Sequence, residues 1–328
     1  MRGCCLLLLL FTLPFLGFSQ FAAPAPRDQV LQHLEDVFGA PGKQGTAIQS
    51  IKTMGTNAIP FLIEILGYET TQVDQWYEKA YAKAPSGIQS RMSKPEALEK
   101  LRNEAVVLLR NMPETHLYMT NLFTLLKDQR PEVRRHSASL ISHHMLNRGR
   151  NMEDSVMLEC LPYLKDSDAQ VRRSIVQAFA HKGARLPRVK IALEAALNDP
   201  VEEVRMNAAH ALLQADNKHP DALNTLKALF TSNTPNTRYF AAVYYFVSDR
   251  QRFKDEPDLM RVFVDTLSGN DVELQSYAAE LLGGIGASAK PAVPELKKLL
   301  LSPEAQVRTA ATNALQRIEA EVLPPAKP

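Results

Sequence analysis

Apolar and small residues recur along most of the chain at intervals of three and four residues, in segments separated by turns. In the segment that begins at Val204 they include Ala208, Ala211, Leu212 and Ala215. This spacing places them on one face of a helix of about 3.6 residues per turn. No segment sustains the apolar–polar alternation of a β-strand, so the pattern predicts an all-α protein.

A short phrase recurs at the start of these segments. In its clearest copies an Asp is followed five residues later by Val-Arg, at Val133, Val171 and Val204, and weaker copies centre on Leu101, Thr237, Leu274 and Val307. The residue at this position, called here the anchor, recurs in steps of 32, 38, 33, 33, 37 and 33 residues. A leucine-rich segment, such as 293–301, follows most copies after a turn. Recurrence at this period predicts a stack of helical hairpins.

The Asp-x4-Val-Arg-x2-Ala-Ala pattern and the Gly-containing turn at 285–296 resemble the HEAT repeat in its short bacterial form, including the lyase-type repeats. We count about eight units between about residue 27 and residue 320. The resemblance implies a right-handed α-solenoid, one domain over residues 20–320. Such arrays mostly act as binding scaffolds, and some accompany chromophore-attaching lyases.

The same resemblance implies a ladder of hydrogen bonds between adjacent repeats, formed by the Asp and the Arg six residues later. Both partners are present at Asp128 and Arg134, Asp166 and Arg172, and Asp199 and Arg205. The alternative is an ordinary solvated charge pair at each position, worth under about 1 kcal/mol. Three copies at a fixed spacing favour the structural ladder.

The first 19 residues have the features of a secretory signal peptide. Leu6 to Phe18 is apolar, and Gly17 and Ser19 are small residues at the −3 and −1 positions of a cleavage site before Gln20. We therefore expect a protein exported to the periplasm or the extracellular space, with no membrane span after cleavage. The Pro-rich tail, residues 321–328, is predicted to be disordered.

The charge and the Cys and His content limit which partners and which kinds of site the protein can have. The formal charge of +2 gives no electrostatic case for nucleic acid. Cys160 is the one thiol left after signal cleavage, and its apolar neighbours predict a buried position. His136, His143 and His181 could approach one another and bind a metal, but no Cys or carboxylate completes the set, so we expect no metal and no cofactor.

Known catalytic motifs are absent from the sequence. It contains no phosphate-binding Gly-x4-Gly-Lys loop, no His-Glu-x2-His helix and no Cys-x2-Cys pair. The paired His-Glu ligands of di-iron hydroxylases built on HEAT-like repeats are also missing. We therefore predict that the protein is not an enzyme.

Two segments are candidates for binding a partner. An insertion, residues 67–96 in the second repeat, carries Trp76 and Tyr77, which either cap the core or form a recognition element. Positions +2, +6 and +9 after the anchor are predicted to face the concave surface. In two adjacent repeats these positions are apolar or aromatic: Met206, His210, Leu213, Tyr239, Val243 and Phe246.

The sequence thus predicts an exported scaffold that binds a protein or peptide on its concave face. The alternative class is a lyase-like enzyme or enzyme accessory that handles a small ligand, which would need a closed pocket with clustered polar groups. A third class, a structural spacer, would lack an apolar concave patch.

Overall fold

The computed structural model describes residues 58–67, 79, 81–89, 98–110, 116–148, 153–180 and 183–320. The predicted signal peptide, Trp76, Tyr77, His181 and the predicted tail lie outside these residues. The chain divides into two compact units, residues 1–147 and 148–328, and each is described by itself. All regular elements in the described ranges are helical, which confirms the prediction of an all-α fold.

The first unit contains five described helices: α1 (Ile59–Gly67), α2 (Ser86–Gln89), α3 (Leu98–Arg110), α4 (His116–Leu125) and α5 (Pro131–Arg148). Helix α1 packs against α3 and α4. Helices α4 and α5 are tied by polar contacts inside the core. The Ser137 hydroxyl donates to the Leu122 carbonyl oxygen at 2.6 Å, and His144 Nε2 lies 3.0 Å from the Tyr118 hydroxyl.

The second unit is built of helical hairpins. Its α-helices are α6 (Asp154–Cys160), α7 (Ala169–Ala178), α8 (Pro187–Ala196), α9 (Glu202–Ala215), α10 (Pro220–Ala228), α11 (Pro235–Ser248), α12 (Arg250–Phe253), α13 (Pro257–Leu267), α14 (Val272–Ile285), α15 (Val293–Leu299) and α16 (Ala305–Ala320). Helix α8 packs against α9, α10 against α11, α13 against α14 and α15 against α16. We call the later helix of each pair a second helix, and we use the same term for α7, which carries the anchor at 171.

The anchor of each second helix lies in the core, as its place in the pattern predicts. The anchors at 171, 204, 237, 274 and 307 are all buried. The paired alanines that follow them, such as Ala208 and Ala209 or Ala278 and Ala279, are fully buried as well. Because these side chains are small, successive second helices can approach closely, and α7, α9 and α11 pack on one another in sequence.

The Gly-containing turn between the last two hairpins begins at Gly286. This residue has a φ of 74°, a left-handed conformation that glycine adopts without steric cost. Its backbone N–H donates to the Leu282 carbonyl oxygen, which ends α14, and a 3₁₀ segment, Gly286–Ala292, leads into α15. The turn residue therefore decides where the helix stops.

The contact between α14 and α16 depends on another glycine. A Cβ atom on Gly283 would lie 2.8 Å from Ala314 Cα, whereas a Cβ on the neighbouring Gly284 would meet nothing within 4 Å. We expect Gly283→Ala to lower the free energy of unfolding by about 1–3 kcal/mol, because backbone must move to admit the methyl group. Gly284→Ala should instead raise it by up to about 1 kcal/mol, because alanine favours the helix. Thermal melting of both variants checks this, and equal shifts would contradict the close contact.

Candidate protein-binding surface

The second helices expose a different face from the predicted one. Met206 is 7% exposed, and Leu213, Tyr239 and Phe246 are 4% exposed each. These residues occupy positions +2 and +9 after the anchor, so the prediction that the four line an open surface is wrong. The reason is that a second helix inside the stack touches its own first helix and the second helices on either side, so only a narrow arc remains open.

Tyr239 and Phe246 point towards the following hairpin. Both rings make edge contacts with Phe263 on α13, with centroid distances of 6.2 and 6.4 Å. Burial, together with the nearby Glu280 carboxylate and Tyr277, raises the pKa of the Tyr239 phenol well above its ordinary value. The two rings are therefore part of the packing between repeats.

Position +6 is more open than positions +2 and +9 in these helices. His210 and Val243 are partly exposed. On α11 and α14 the open arc runs through positions −1, +3, +6 and +10, which lie within about 60° of one another on a helix that turns 100° per residue. On α9 position +3 is the buried Asn207, so the arc there is interrupted. This arc, with Tyr244 at its edge, carries a set of partly or fully exposed apolar and aromatic side chains, which we call the aromatic surface: His210, Phe240, Val243, Tyr244, Val247 and Tyr277.

The rings of the aromatic surface pack on one another across neighbouring hairpins. His210 on α9 stacks on Tyr244 of α11, with ring centroids 3.9 Å apart and planes 21° from parallel. Phe240 lies one turn before Tyr244, with its ring centroid 6.4 Å away. Partial burial raises the pKa of the Tyr244 phenol, so this ring is neutral at physiological pH. Tyr277 on α14 is 45% exposed.

A signal for this surface is present in the sequence. Helix α11 carries five aromatic residues within eight positions: Tyr239, Phe240, Tyr244, Tyr245 and Phe246. One face of a helix cannot bury five such rings, so some of them must reach the surface. The composition of α11 thus marks the right helix, although it does not tell which rings are exposed.

Carboxylates border the aromatic surface. Glu203 on α9 and Glu273 and Glu280 on α14 occupy positions −1 and +6 of the open arc, and the two α14 residues are exposed. Tyr277 lies between them, one turn from each, because residues three and four apart share a helix face. The same four positions of α9, α11 and α14 contain no Lys or Arg. This face is therefore aromatic and acidic.

The predicted ladder residues make contacts of two kinds. Between repeats, Arg172 donates from Nε and Nη2 to the two carboxylate oxygens of Asp199, at 2.8 and 3.0 Å. Within repeats, the Arg donates from Nη1 to the backbone carbonyl oxygen six residues earlier, in Arg134, Arg172, Arg205, Arg238 and Arg308. The within-repeat bond thus goes to the backbone of the Asp or its stand-in, and not to its side chain.

The contact of Arg172 with Asp199 shifts the protonation of both groups. Burial alone would raise the pKa of the Asp199 carboxyl, but the Arg172 guanidinium, the Val201 N–H and the nearby Arg205 charge together hold it below its ordinary value. The hydrogen bond with Asp199 in turn raises the pKa of Arg172. Both groups are therefore charged over the physiological range.

At the corresponding positions of two other repeats, different side chains make the contacts. In the first unit the Asp128 carboxylate accepts from Arg130, at 2.8 and 2.7 Å, and Arg130 also donates to the Gly67 carbonyl oxygen. Where Ser232 replaces the Asp, its hydroxyl donates to Glu202 of the preceding repeat at 2.6 Å. The connection between repeats survives there through a different pair of side chains.

Cys160 and His143 were considered for nucleophilic chemistry and for metal binding, and the structure describes the surroundings of each. Cys160 is fully buried, and burial raises the pKa of its thiol far above its ordinary value. His143 Nε2 lies 2.8 Å from the amide nitrogen of Asn147 on the same helix. Among the described residues no group of three His, Cys, Asp or Glu side chains could hold a metal ion. In the same ranges, no helix combines the length and apolar character needed to cross a bilayer.

Comparisons with known proteins agree with this architecture. A family model described as HEAT repeats matches residues 158–245. The S. pombe condensin Cnd3–Cnd2 subcomplex is similar in structure, with a TM-score of 0.50 and 14% identity over 89% of this chain and 37% of that chain. No curated protein matches the sequence.

Two further solved structures resemble the chain at lower TM-scores. The E. coli protein YibA has a TM-score of 0.47 and 15% identity, over 92% of this chain and 99% of that chain. A designed armadillo repeat protein has a TM-score of 0.34 and 19% identity, over 79% of this chain and 99% of that chain. Residues 158–245 are thus similar in sequence to HEAT repeats, and the helical hairpins form an α-solenoid, the fold of HEAT and armadillo proteins.

Proposed function

We propose that this protein is an exported scaffold that binds another protein or a peptide through the aromatic surface and has no catalytic activity of its own. The observation that carries the proposal is the set of partly exposed rings on α9, α11 and α14, above all Tyr277. Exposed apolar side chains that adjoin one another on a folded surface are typical of interaction sites. Tyrosine is enriched among the residues that contribute most to binding.

Two further considerations support this proposal. HEAT and armadillo solenoids present an extended surface on which a partner can lie, because each repeat adds one more helix to it. Cys160 is buried with a raised thiol pKa, and thiolate chemistry needs an accessible group with a lowered pKa. The proposal of export rests on the N-terminal sequence alone.

The proposed function can be tested by photo-crosslinking in the native organism. A photoreactive phenylalanine analogue at position 277 should give a specific adduct, whereas the same analogue at Ile191, 66% exposed on the first helix α8, should not. Mass spectrometry of the adduct identifies the partner, and the N-terminus of the recovered protein should be Gln20. No adduct specific to position 277 would contradict the binding surface, and a recovered N-terminus at Met1 would contradict export.

Once the partner is known, the contribution of the surface can be measured. We expect Phe240→Ser combined with Tyr277→Ser to weaken binding about 100-fold, which corresponds to about 3 kcal/mol for two aromatic anchors. Titration of the partner against the folded variant gives this number. Unchanged affinity would place the site elsewhere, with the insertion that carries Trp76 as the next candidate.

A further inference from the structure

The acidic border of the aromatic surface indicates the chemistry of the partner. We propose that the segment bound there is cationic and carries two Arg or Lys side chains about 10 Å apart, which pair with Glu273 and Glu280 on either side of Tyr277. This inference rests on the proposed function, since it concerns the same surface. It adds the charge of the partner and the spacing of its basic residues.

The positions of the two carboxylates define the spacing. Glu273 and Glu280 are seven residues apart on α14, so they are separated by about 10 Å along the helix axis. Both are exposed, and Tyr277 lies between them on the same face. A cation placed between a carboxylate and the Tyr277 ring would gain an ion pair and a contact with the face of the ring.

The pairing of charges in this unit supports the same conclusion. On the first helices, several carboxylates have cationic partners within the chain: Glu256 and Asp258 with Lys227, Glu295 with Lys298, and Glu194 with Lys190. Among the described residues, by contrast, Glu203, Glu273 and Glu280 have no hydrogen-bonded or ion-paired side chain. The acidic residues next to the aromatic surface are therefore available to a partner.

No Lys or Arg on the open arcs of α9, α11 and α14 competes for these carboxylates. Arg250, which follows the C-terminal end of α11, lies over the Phe246 ring at 5.9 Å from its centroid. In the last described repeat, Arg317 on α16 occupies the +10 position, at the end of the arc. A cationic segment therefore meets attraction along α9, α11 and α14, and an anionic segment would meet repulsion.

The spacing fits an extended peptide. In the polyproline II conformation residues rise about 3.1 Å each and side chains three positions apart share one face, so basic residues three positions apart are about 9 Å apart. A suitable probe is a capped, fluorescein-labelled peptide of repeated Arg-Leu-Ala triplets. Two matched peptides isolate the cause: one with Glu in place of every Arg, and one of identical composition with its arginines in a single block.

The decisive variants keep the shape of the surface and remove its charge. We expect the full-length protein to bind the triplet peptide, and Glu273→Gln combined with Glu280→Gln to weaken this binding at least ten-fold. The control, Glu159→Gln combined with Asp265→Asn, changes net charge equally on the exposed faces of α6 and α13 and should bind like the unmodified protein. Salt should weaken binding by the unmodified protein more than binding by the Glu273/Glu280 variant.

Other outcomes would overturn the inference. If the Glu peptide bound as well as the triplet peptide, or if the Glu273/Glu280 variant bound as tightly as the unmodified protein, the partner would not be recognised by its positive charge. If the block peptide bound as well as the triplet peptide, the spacing of the basic residues would not matter. If the crosslink at position 277 still captured a partner whose contacting segment lacked basic residues, the proposed function would stand without this inference. If none of the three peptides bound and no specific crosslink formed, the proposed function itself would fail.

Discussion

Replacing Tyr239 and Phe246 together by Ser is expected to unfold the second unit or to lower its melting temperature drastically. Both rings are buried against Phe263 of the following hairpin, so the change leaves a cavity and places two hydroxyl groups inside it. Loss of one such ring costs about 3–5 kcal/mol, and two losses approach the whole stability of an ordinary domain. Because both rings touch Phe263, the two effects need not add.

The matched control removes the same residue types from the open arc. Phe240→Ser combined with Tyr277→Ser takes away one phenylalanine and one tyrosine that are at least partly exposed, so the melting temperature should fall much less. Thermal unfolding followed by circular dichroism compares the two double variants directly. If the buried pair proved harmless and the control pair unfolded the protein, the assignment of the two faces would be reversed.

Replacing Asp199 by Ala is expected to lower the free energy of unfolding by about 3 kcal/mol, because it leaves a largely buried guanidinium without its carboxylate. The side chains of Arg172 and Asp199 are 11% and 8% exposed and form two parallel hydrogen bonds. Asp199 also accepts from the Val201 N–H at the turn before α9. Denaturant unfolding measures the loss.

An exposed ion pair provides the control. The side chain of Asp258 is 51% exposed and pairs with Arg261 at the surface of α13, so Asp258→Ala should cost no more than about 1 kcal/mol. Replacing Arg172 by Met in addition to Asp199→Ala should recover part of the loss, since no buried charge then remains unpaired. If Asp199→Ala and Asp258→Ala lowered the free energy of unfolding equally, the contact between Arg172 and Asp199 would not hold the repeats together.

Acid should weaken the contact between Arg172 and Asp199. The pKa of Asp199 in the folded protein lies below its ordinary value of 3.8, so its contribution to stability is fully present above about pH 4. This contribution is lost as the pH falls through the lowered pKa of the folded state. Unfolding measured between pH 7 and about pH 2 should therefore show a smaller loss of stability on acidification in Asp199→Ala than in the unmodified protein.

The arrangement of hairpins could be predicted from the sequence because the responsible forces are local. The apolar spacing after Val204 or Leu274 specifies one buried stripe on each second helix, and the anchors are buried as expected. The repeat period follows from the length of one hairpin and its turns. Small residues and the left-handed Gly286 could be recognised from residue type, since few other residues suit those positions.

The hydrogen-bond partners of the repeated Asp and Arg residues could be predicted only in part. A fixed spacing of Asp and Arg indicates that the two take part in a repeated contact. It does not tell that Arg172 reaches the carboxylate of Asp199 in the next repeat while it bonds the backbone carbonyl oxygen of Asp166 in its own. That choice depends on how far one hairpin is displaced from the next, which is a property of the stack.

The exposed surface was decided by tertiary structure. Tyr239 and Phe240 are neighbours in sequence with similar side chains, yet one is buried between repeats and the other is partly exposed. The sequence by itself determined the hairpins, the number of residues per repeat and the face of each helix that is buried against its own hairpin, because the apolar stripe marks that face. It did not determine which neighbouring positions, such as +2 and +3, are also buried by the next hairpin. That depends on tertiary packing: Phe263 of the following hairpin covers Tyr239, whereas no described element covers Tyr277 to the same degree.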